Sequence, residues 1–164
     1  MQVLTHSQIH QKITRLAYEI LEQNLNEDVL VLAGINNNGF RFATLLHAAL
    51  SSISKKDCIL AQIRLNPANP LENLPEADLD AATLERASVI IVDDVANTGR
   101  TIFYAFQVCM PVLVRKLQVA VLVDRKHKRY PIQVDYVGLS LATTMGEHIE
   151  ANLADQHNMT VTLH

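Results

Sequence analysis

Ser88-Val89-Ile90-Ile91-Val92-Asp93-Asp94-Val95-Ala96-Asn97-Thr98-Gly99-Arg100-Thr101 passes from four apolar residues through two acids into a small, polar, glycine-bearing turn. Val89 to Val92 are apolar and β-branched, the pattern of a strand buried on both faces of a parallel sheet. Asp93 and Asp94 fall at its carboxyl end, where open α/β sheets place their ligand crevices. A helix is predicted from about Arg100 to Cys109. A tight loop feeding a helix aims unpaired backbone N–H groups and the positive end of the helix dipole at one point, which suits a phosphate. Thr98 and Thr101 add hydroxyl donors. Carboxylates repel a phosphate lying against them, so the two acids must face another part of the ligand. An ionised carboxylate only accepts hydrogen bonds and a sugar diol donates two, so the ligand implied is a ribose 5-phosphate. No Gly-Lys-Ser/Thr follows, which excludes a P-loop.

Outward from this motif, apolar runs and helical periodicities alternate. Thr5-His6-Ser7-Gln8 has the form of a capping box, and Ile9, Ile13, Leu16, Ala17, Ile20 and Leu21 recur at helical spacing up to about Asn24. Val29 to Ala33 reads as a buried strand closed by Gly34. Gly34 to Gly39 reads as a turn and Phe40 to Leu50 as a helix. Cys58 to Leu65 is a further strand. Pro67, Pro70 and Pro75 then predict a long loop from Asn66 to about Arg86. Leu117 to Val123 is a buried strand ending at Asp124, and Arg125-Lys126-His127-Lys128-Arg129 is the densest positive run in the chain. Ile132 to Val137 reads as extended, and Thr160 to Leu163 as an edge strand. The expected architecture is α/β, a doubly wound, mostly parallel sheet in one domain spanning residues 1–164. The first helix and the segment after Arg125 are expected outside that sheet, as a small hood.

Composition narrows the partners. The formal net charge is −3, with 49% hydrophobic residues, which argues against a protein that coats nucleic acid or an anionic membrane. Cys58 and Cys109 lie inside apolar runs and read as core thiols, and there is no signal peptide or apolar span of ~20 residues, so the expected location is cytoplasmic. Seven histidines lack metal-site spacing, so no protein-ligated metal is expected.

The central motif resembles the phosphoribosyl-pyrophosphate (PRPP) signature of type I phosphoribosyltransferases, four apolar residues followed by Asp-Asp-x-x-x-Thr-Gly-x-Thr. Val123-Asp124-Arg125-x-His127 with Pro131-Ile132 and Asp135-Tyr136-Val137-Gly138 resembles one branch, the pyrimidine operon regulators that are also uracil phosphoribosyltransferases. The resemblance extends to Thr14-Arg15-Leu16-Ala17 and covers most of the chain. It implies that Asp93 and Asp94 are catalytic, orienting the ribose and stabilising charge on its ring. Val95, Ala96, Asn97, Thr98, Gly99, Arg100 and Thr101 would hold the 5-phosphate. Asn36, Asn37, Asn38 and Gly39 would form the pyrophosphate loop, without the Lys or Arg the family often carries there. Mg²⁺, held through PRPP, would supply charge compensation. Tyr136 would stack on the base and the Val137 backbone would read its edge, beside Asp124 and Arg125. The loop after Leu65 would be a lid, although Asn66 to Asn69 include no Tyr or Arg and the loop is short.

The implied partners are PRPP, a nucleobase with uracil favoured, a nucleoside monophosphate and a second copy in a homodimer. Two alternatives stand beside the uracil enzyme: a catalytically weak regulator sensing PRPP or uridine monophosphate (UMP), and an enzyme salvaging a purine base. RNA contact in the resembled regulators maps here onto Thr14, His127 and Arg129. Tyr18, Asn37 and Met145 replace a His, a Thr and a Lys of that face. Each lost phosphate contact removes a counterion-release contribution, so no sequence-specific RNA complex is expected at about 150 mM salt.

Overall fold

The computed structural model describes residues 1–164. Its elements are β1 (Gln2–Leu4), α1 (His6–Gln23), β2 (Leu30–Ile35), α2 (Asn36–Ile53), β3 (Cys58–Arg64), β4 (Glu76–Ala77), α3 (Ala81–Leu84), β5 (Ser88–Ala96), α4 (Arg100–Ala105), β6 (Lys116–Arg125), β7 (Tyr136–Leu141), β8 (Ile149–Asn152) and β9 (Thr160–Leu163). A 3-10 turn, Phe106–Val108, prolongs α4.

β3, β2, β5, β6 and β7 are parallel neighbours in that order, and β4 pairs antiparallel on the β3 edge. Side chains alternate across a strand, so each central strand feeds two cores. Leu30, Leu32, Ile90 and Val92 pack with α1 and α2 through Leu16, Ile20, Phe42 and Leu46. Val31, Ala33, Val89 and Ile91 pack on the other face with Leu84, Ile102, Ala105 and Cys109. Helices cover both faces, which is why Val89 to Val92 must be apolar in succession. The doubly wound, mostly parallel sheet is the expected one. Strand order reverses between β2 and β5: α2 leaves β2 toward one face and α4 leaves β5 toward the other. The crevice at the carboxyl ends of these two strands is the switch point where such sheets bind ligands.

The first helix follows the local signals closely. Thr5 caps it in extended conformation, accepting from the Gln8 N–H while the Gln8 side chain accepts from the Thr5 N–H at 2.9 Å. Asn24 ends it, donating through Nδ2 to the Ile20 carbonyl at 2.7 Å.

Elsewhere long-range pairing overrides local expectation. Ile132 to Asp135 are not strand; β7 begins at Tyr136, because the Asp135 side chain and N–H both bond Val119 of β6 and start the pairing there. Residues after Arg125 therefore supply a strand to the main sheet. The loop from Asn66 to Arg86 contains β4 and the single turn of α3, capped by Asp80. Thr160 to Leu163 is the centre, not the edge, of a three-stranded antiparallel sheet ordered β1-β9-β8. This small sheet is the hood, built from both chain ends: the amino group of Met1 donates to the Leu163 carbonyl. Its apolar side (Leu4, Ile149, Val161) shares a core with α1.

Candidate active site

The acid pair owes its access to the cleft to unequal strand lengths. β2 pairs with β5 as far as Val92, whereas β6 stays paired to Ala96. β5 therefore runs through the acids instead of ending before them. Asp93 and Asp94 keep strand geometry on the β6 side and open toward α2 on the other. Gly39 makes this approach feasible, since a Cβ there would lie 2.8 Å from the Val92 carbonyl oxygen and 3.2 Å from Asp93 Oδ1. Asp93 Oδ1 accepts from the Asp94 N–H at 2.9 Å. Burial, reinforced by the neighbouring Asp94 charge, holds the Asp93 carboxyl well above the usual carboxylate range.

Val95 to Ile102 wrap with Asp93 around a cavity of about 50 Å³. Gly99 turns the loop with φ +85°, in the left-handed region. Val95 and Ala96 turn their side chains into the two cores, so they offer the cavity backbone only. Thr98 Oγ1 accepts from the Arg100 N–H at 3.3 Å, which leaves its own proton to donate. The Thr98 carbonyl accepts from Arg129 and Tyr130 N–H, so the segment after β6 straps the loop from outside.

On the other side of the acids, Asn36 to Gly39 are not a loop but the first turn of α2, which starts four residues earlier than its apolar periodicity indicates. Asn36 takes φ +53°, a conformation Asn tolerates. Its Oδ1 accepts from Leu65 N–H at 3.1 Å and its carbonyl from Gln62 Nε2 at 3.0 Å. A cleft of about 470 Å³ joins Asn36–Asn38 and Arg41 to Asp93, Asp94 and Thr101. Asp93 and Thr101 line this cleft and the smaller cavity alike, so the two lie side by side. Arg41 is the residue sequence reasoning missed. Its signal was available: once the helix starts at Asn36, position 41 lies one turn from Asn37 and Asn38 on the same face. Pro67, at the start of the long loop, also lines the cleft and accepts through its carbonyl from Arg100 Nη2 at 2.5 Å.

The assignment of Tyr136 to a base is corrected. Tyr136 pairs with Ala120, on the amino side of the level of Asp93, and is 0% exposed, so it has no ring face to offer. Its hydroxyl donates to Gln118 Oε1 at 2.7 Å and accepts from Asn24 Nδ2 at 3.3 Å, and burial pushes the phenol up to about 12. Asn24 Oδ1 in turn accepts from the Ser88 hydroxyl. The ring is a buried joint between α1, β5, β6 and β7. Tyr136→Phe should therefore lower stability by about 1–2 kcal/mol, the cost of a buried hydroxyl and its stranded partners, and leave ligand affinity unchanged. Denaturant unfolding beside calorimetric titration checks both halves. The Val137 carbonyl is engaged too, accepting from Arg15 Nη2 at 3.0 Å.

Asp124 and Arg125 do reach the carboxyl end of β6. Arg125 donates to Asn97 Oδ1 at 3.1 Å, Thr143 Oγ1 at 2.8 Å and the Thr144 carbonyl at 3.2 Å, joining the phosphate-side loop to the segment after β7. Lys128, within the densest positive run of the chain, bonds Asp124 and the Asn97 and Arg125 carbonyls. His127 Nε2 lies 2.6 Å from the Thr143 carbonyl. Arg129 is exposed, and Thr14 is exposed on α1, its hydroxyl bonded to the His10 carbonyl. No three His, Cys, Asp or Glu side chains are grouped to hold a metal ion, and the acid pair alone is too few oxygens for one. A divalent cation fits this cleft only when a ligand brings most of its oxygens. No helix is long and apolar enough to cross a membrane.

Known proteins share this chain's family and fold. The phosphoribosyl transferase domain family matches residues 1–156. The bifunctional protein PyrR of Streptococcus mutans is 36% identical over 148 residues, covering 87% of this chain and 82% of its own length. That of Bacillus mycoides is 32% identical, covering 93% and 90%. Among solved structures, the hypoxanthine phosphoribosyltransferase of Trypanosoma cruzi superposes with TM-score 0.77 over 98% of this chain and 94% of its own, at 19% identity. A hypoxanthine-guanine phosphoribosyltransferase of Bacillus anthracis gives 0.71 over 86% and 82%, at 21% identity. At such identities these two structures establish the fold alone.

Proposed function

The chain belongs to the phosphoribosyl transferase family, on its PyrR-like side, and from that premise we propose that it transfers the 5-phosphoribosyl group of PRPP to a nucleobase, uracil by preference. The observation that carries the reading is the acid pair set between two helix starts at one switch point, Thr98–Thr101 at the start of α4 and Asn36–Gly39 in α2. The first cradle takes the 5-phosphate, the carboxylates take the ribose diol, and the cleft takes the diphosphate. A ring nitrogen of the base attacks C1 with its lone pair. The bond from C1 to the diphosphate oxygen breaks and its electron pair leaves with pyrophosphate, while the nitrogen's proton passes to solvent. Mg²⁺ chelated by the diphosphate would neutralise its charge and ease departure. Asp93 and Asp94 orient the sugar, and their carboxyl oxygens stabilise the positive charge that grows on the ring.

Uracil is favoured by the Val123–His127 and Asp135–Gly138 patterns. The absence of Lys or Arg at positions 36–38 favours a second reading, a PRPP- or UMP-sensing regulator with little turnover. Incubation with PRPP, Mg²⁺ and a panel of bases decides between them. UMP formation from uracil is the expected result. Nucleotide from hypoxanthine or guanine alone would reassign the substrate, and tight PRPP binding without product would favour the regulator.

Sequence-specific RNA recognition is not part of the proposal. Arg125, His127 and Lys128 each bond groups of the protein itself, and Lys126 and Arg129 are the exposed cations of the run. The reading includes a homodimer, as the resembled family assembles, and a cytoplasmic location, which the unpaired thiols Cys58 and Cys109 suit.

A further inference from the structure

We propose that Arg41 is the protein's own cation for the diphosphate group, acting from the helix one turn beyond the positions where a cation is missing; this rests on the phosphoribosyltransferase reading. The cleft holds two carboxylates, and Arg41 is the one Lys or Arg among the residues that line it. A diphosphate entering beside Asp93 and Asp94 meets like charge, so a fixed cation on the opposite wall has a defined use. The three asparagines cannot supply it, since they are neutral. Asn36 is in any case spent on Leu65 and Gln62.

The other nearby arginines are engaged elsewhere. Arg100 donates to the Pro67 carbonyl and tethers the long loop. Arg64 donates to Gln62 Oε1 and lines the neighbouring cavity of about 590 Å³. Arg41 instead forms no salt bridge with any carboxylate of the chain. Its Nη1 donates to Asn38 Oδ1 at 3.1 Å, which holds the guanidinium over the turn that faces the acids. The remaining N–H donors of the fork are exposed, and a planar fork of donors matches phosphate oxygens. Asn38 thus becomes a positioning residue for Arg41.

The assignment separates ligands by their diphosphate. Ribose 5-phosphate engages the acid pair and the small cavity but places nothing near Arg41. Titration calorimetry with Mg²⁺ present would compare wild type, Arg41→Gln and Arg41→Lys against PRPP, inorganic pyrophosphate and ribose 5-phosphate. Arg41→Gln should weaken PRPP and pyrophosphate about 10- to 100-fold, the loss of charge-assisted bonds, and keep ribose 5-phosphate within about twofold. Arg41→Lys should recover part of the loss. Arg41 is exposed, so neither variant threatens the fold, and matching unfolding temperatures would verify it. Unchanged PRPP affinity in Arg41→Gln overturns the inference while the family reading stands. Equal weakening of all three ligands overturns it as well, because Arg41 would then shape the whole site. A wild type that binds neither PRPP nor ribose 5-phosphate removes the reading and the inference together.

Discussion

Asp93→Asn is expected to unfold at a higher temperature than wild type at pH 7 to 8, yet to bind PRPP and ribose 5-phosphate at least about tenfold more weakly. The two effects share one cause. Burial and the Asp94 charge raise the Asp93 carboxyl well above its ordinary value, so the folded protein holds that proton more tightly than the unfolded chain does. The stability from this group is fully present below the unfolded value of about 4 and is lost as pH rises through the raised folded value. Above the unfolded value the folded protein therefore carries a penalty for this carboxyl, set by its burial and by the Asp94 charge beside it. Asn keeps the acceptor for the Asp94 N–H and removes the charge, so the gain in unfolding temperature should vanish when both proteins are heated at about pH 3 to 4. Binding moves the other way, because an amide is a weaker acceptor for the ribose hydroxyls than a carboxylate. Asp94→Asn should lose affinity similarly and stay within a few degrees of wild type. Scanning calorimetry across pH, beside ligand titration, reads both quantities. Wild-type affinity in both variants would remove the acids from the ribose, and a lower unfolding temperature for Asp93→Asn would contradict the electrostatic account. A buried acid kept where a ligand binds is an example of stability given up for function.

Gly39→Ala should destabilise the protein by about 1–3 kcal/mol and lower its unfolding temperature by about 3–12 °C. The added Cβ would meet the Val92 carbonyl oxygen at 2.8 Å and Asp93 Oδ1 at 3.2 Å. Val92 sits in a strand paired on both sides and cannot yield, so the start of α2 must retreat. The retreat carries Asn36 to Arg41 away from the acids, and PRPP affinity should fall more than ribose 5-phosphate affinity. Gly146→Ala is the control, since a Cβ at Gly146 meets nothing within 4 Å and should change neither quantity. Thermal unfolding of the two variants gives the comparison directly. Equal stability of Gly39→Ala and wild type would show that the close approach of helix and strand is dispensable.

Much of the fold was legible because it is written in local rules. The capping box at Thr5, the periodicity of α1, the apolar run of β5 and the acids that follow it each depend on residues within a few positions. Local hydrogen bonding and the alternation of side chains specify them before any distant contact forms. The order of acids, threonines and glycine likewise carried the candidate site, because strand, loop and helix start are consecutive in the chain. Tertiary structure decided the rest. Tyr136 reads, by resemblance, as the ring that stacks on the base until β7 takes its register on β6, which directs the ring into the core beside Asn24 and Gln118. Thr160–Leu163 becomes a central strand only when Gln2–Leu4, at the far end of the chain, pairs with it. Arg41 joins the acids because Gly39 lets α2 lie against a strand some 50 residues away in sequence. In each of these cases the partner is distant, and the free energy that selects the conformation comes from burial and pairing that no short window of sequence contains.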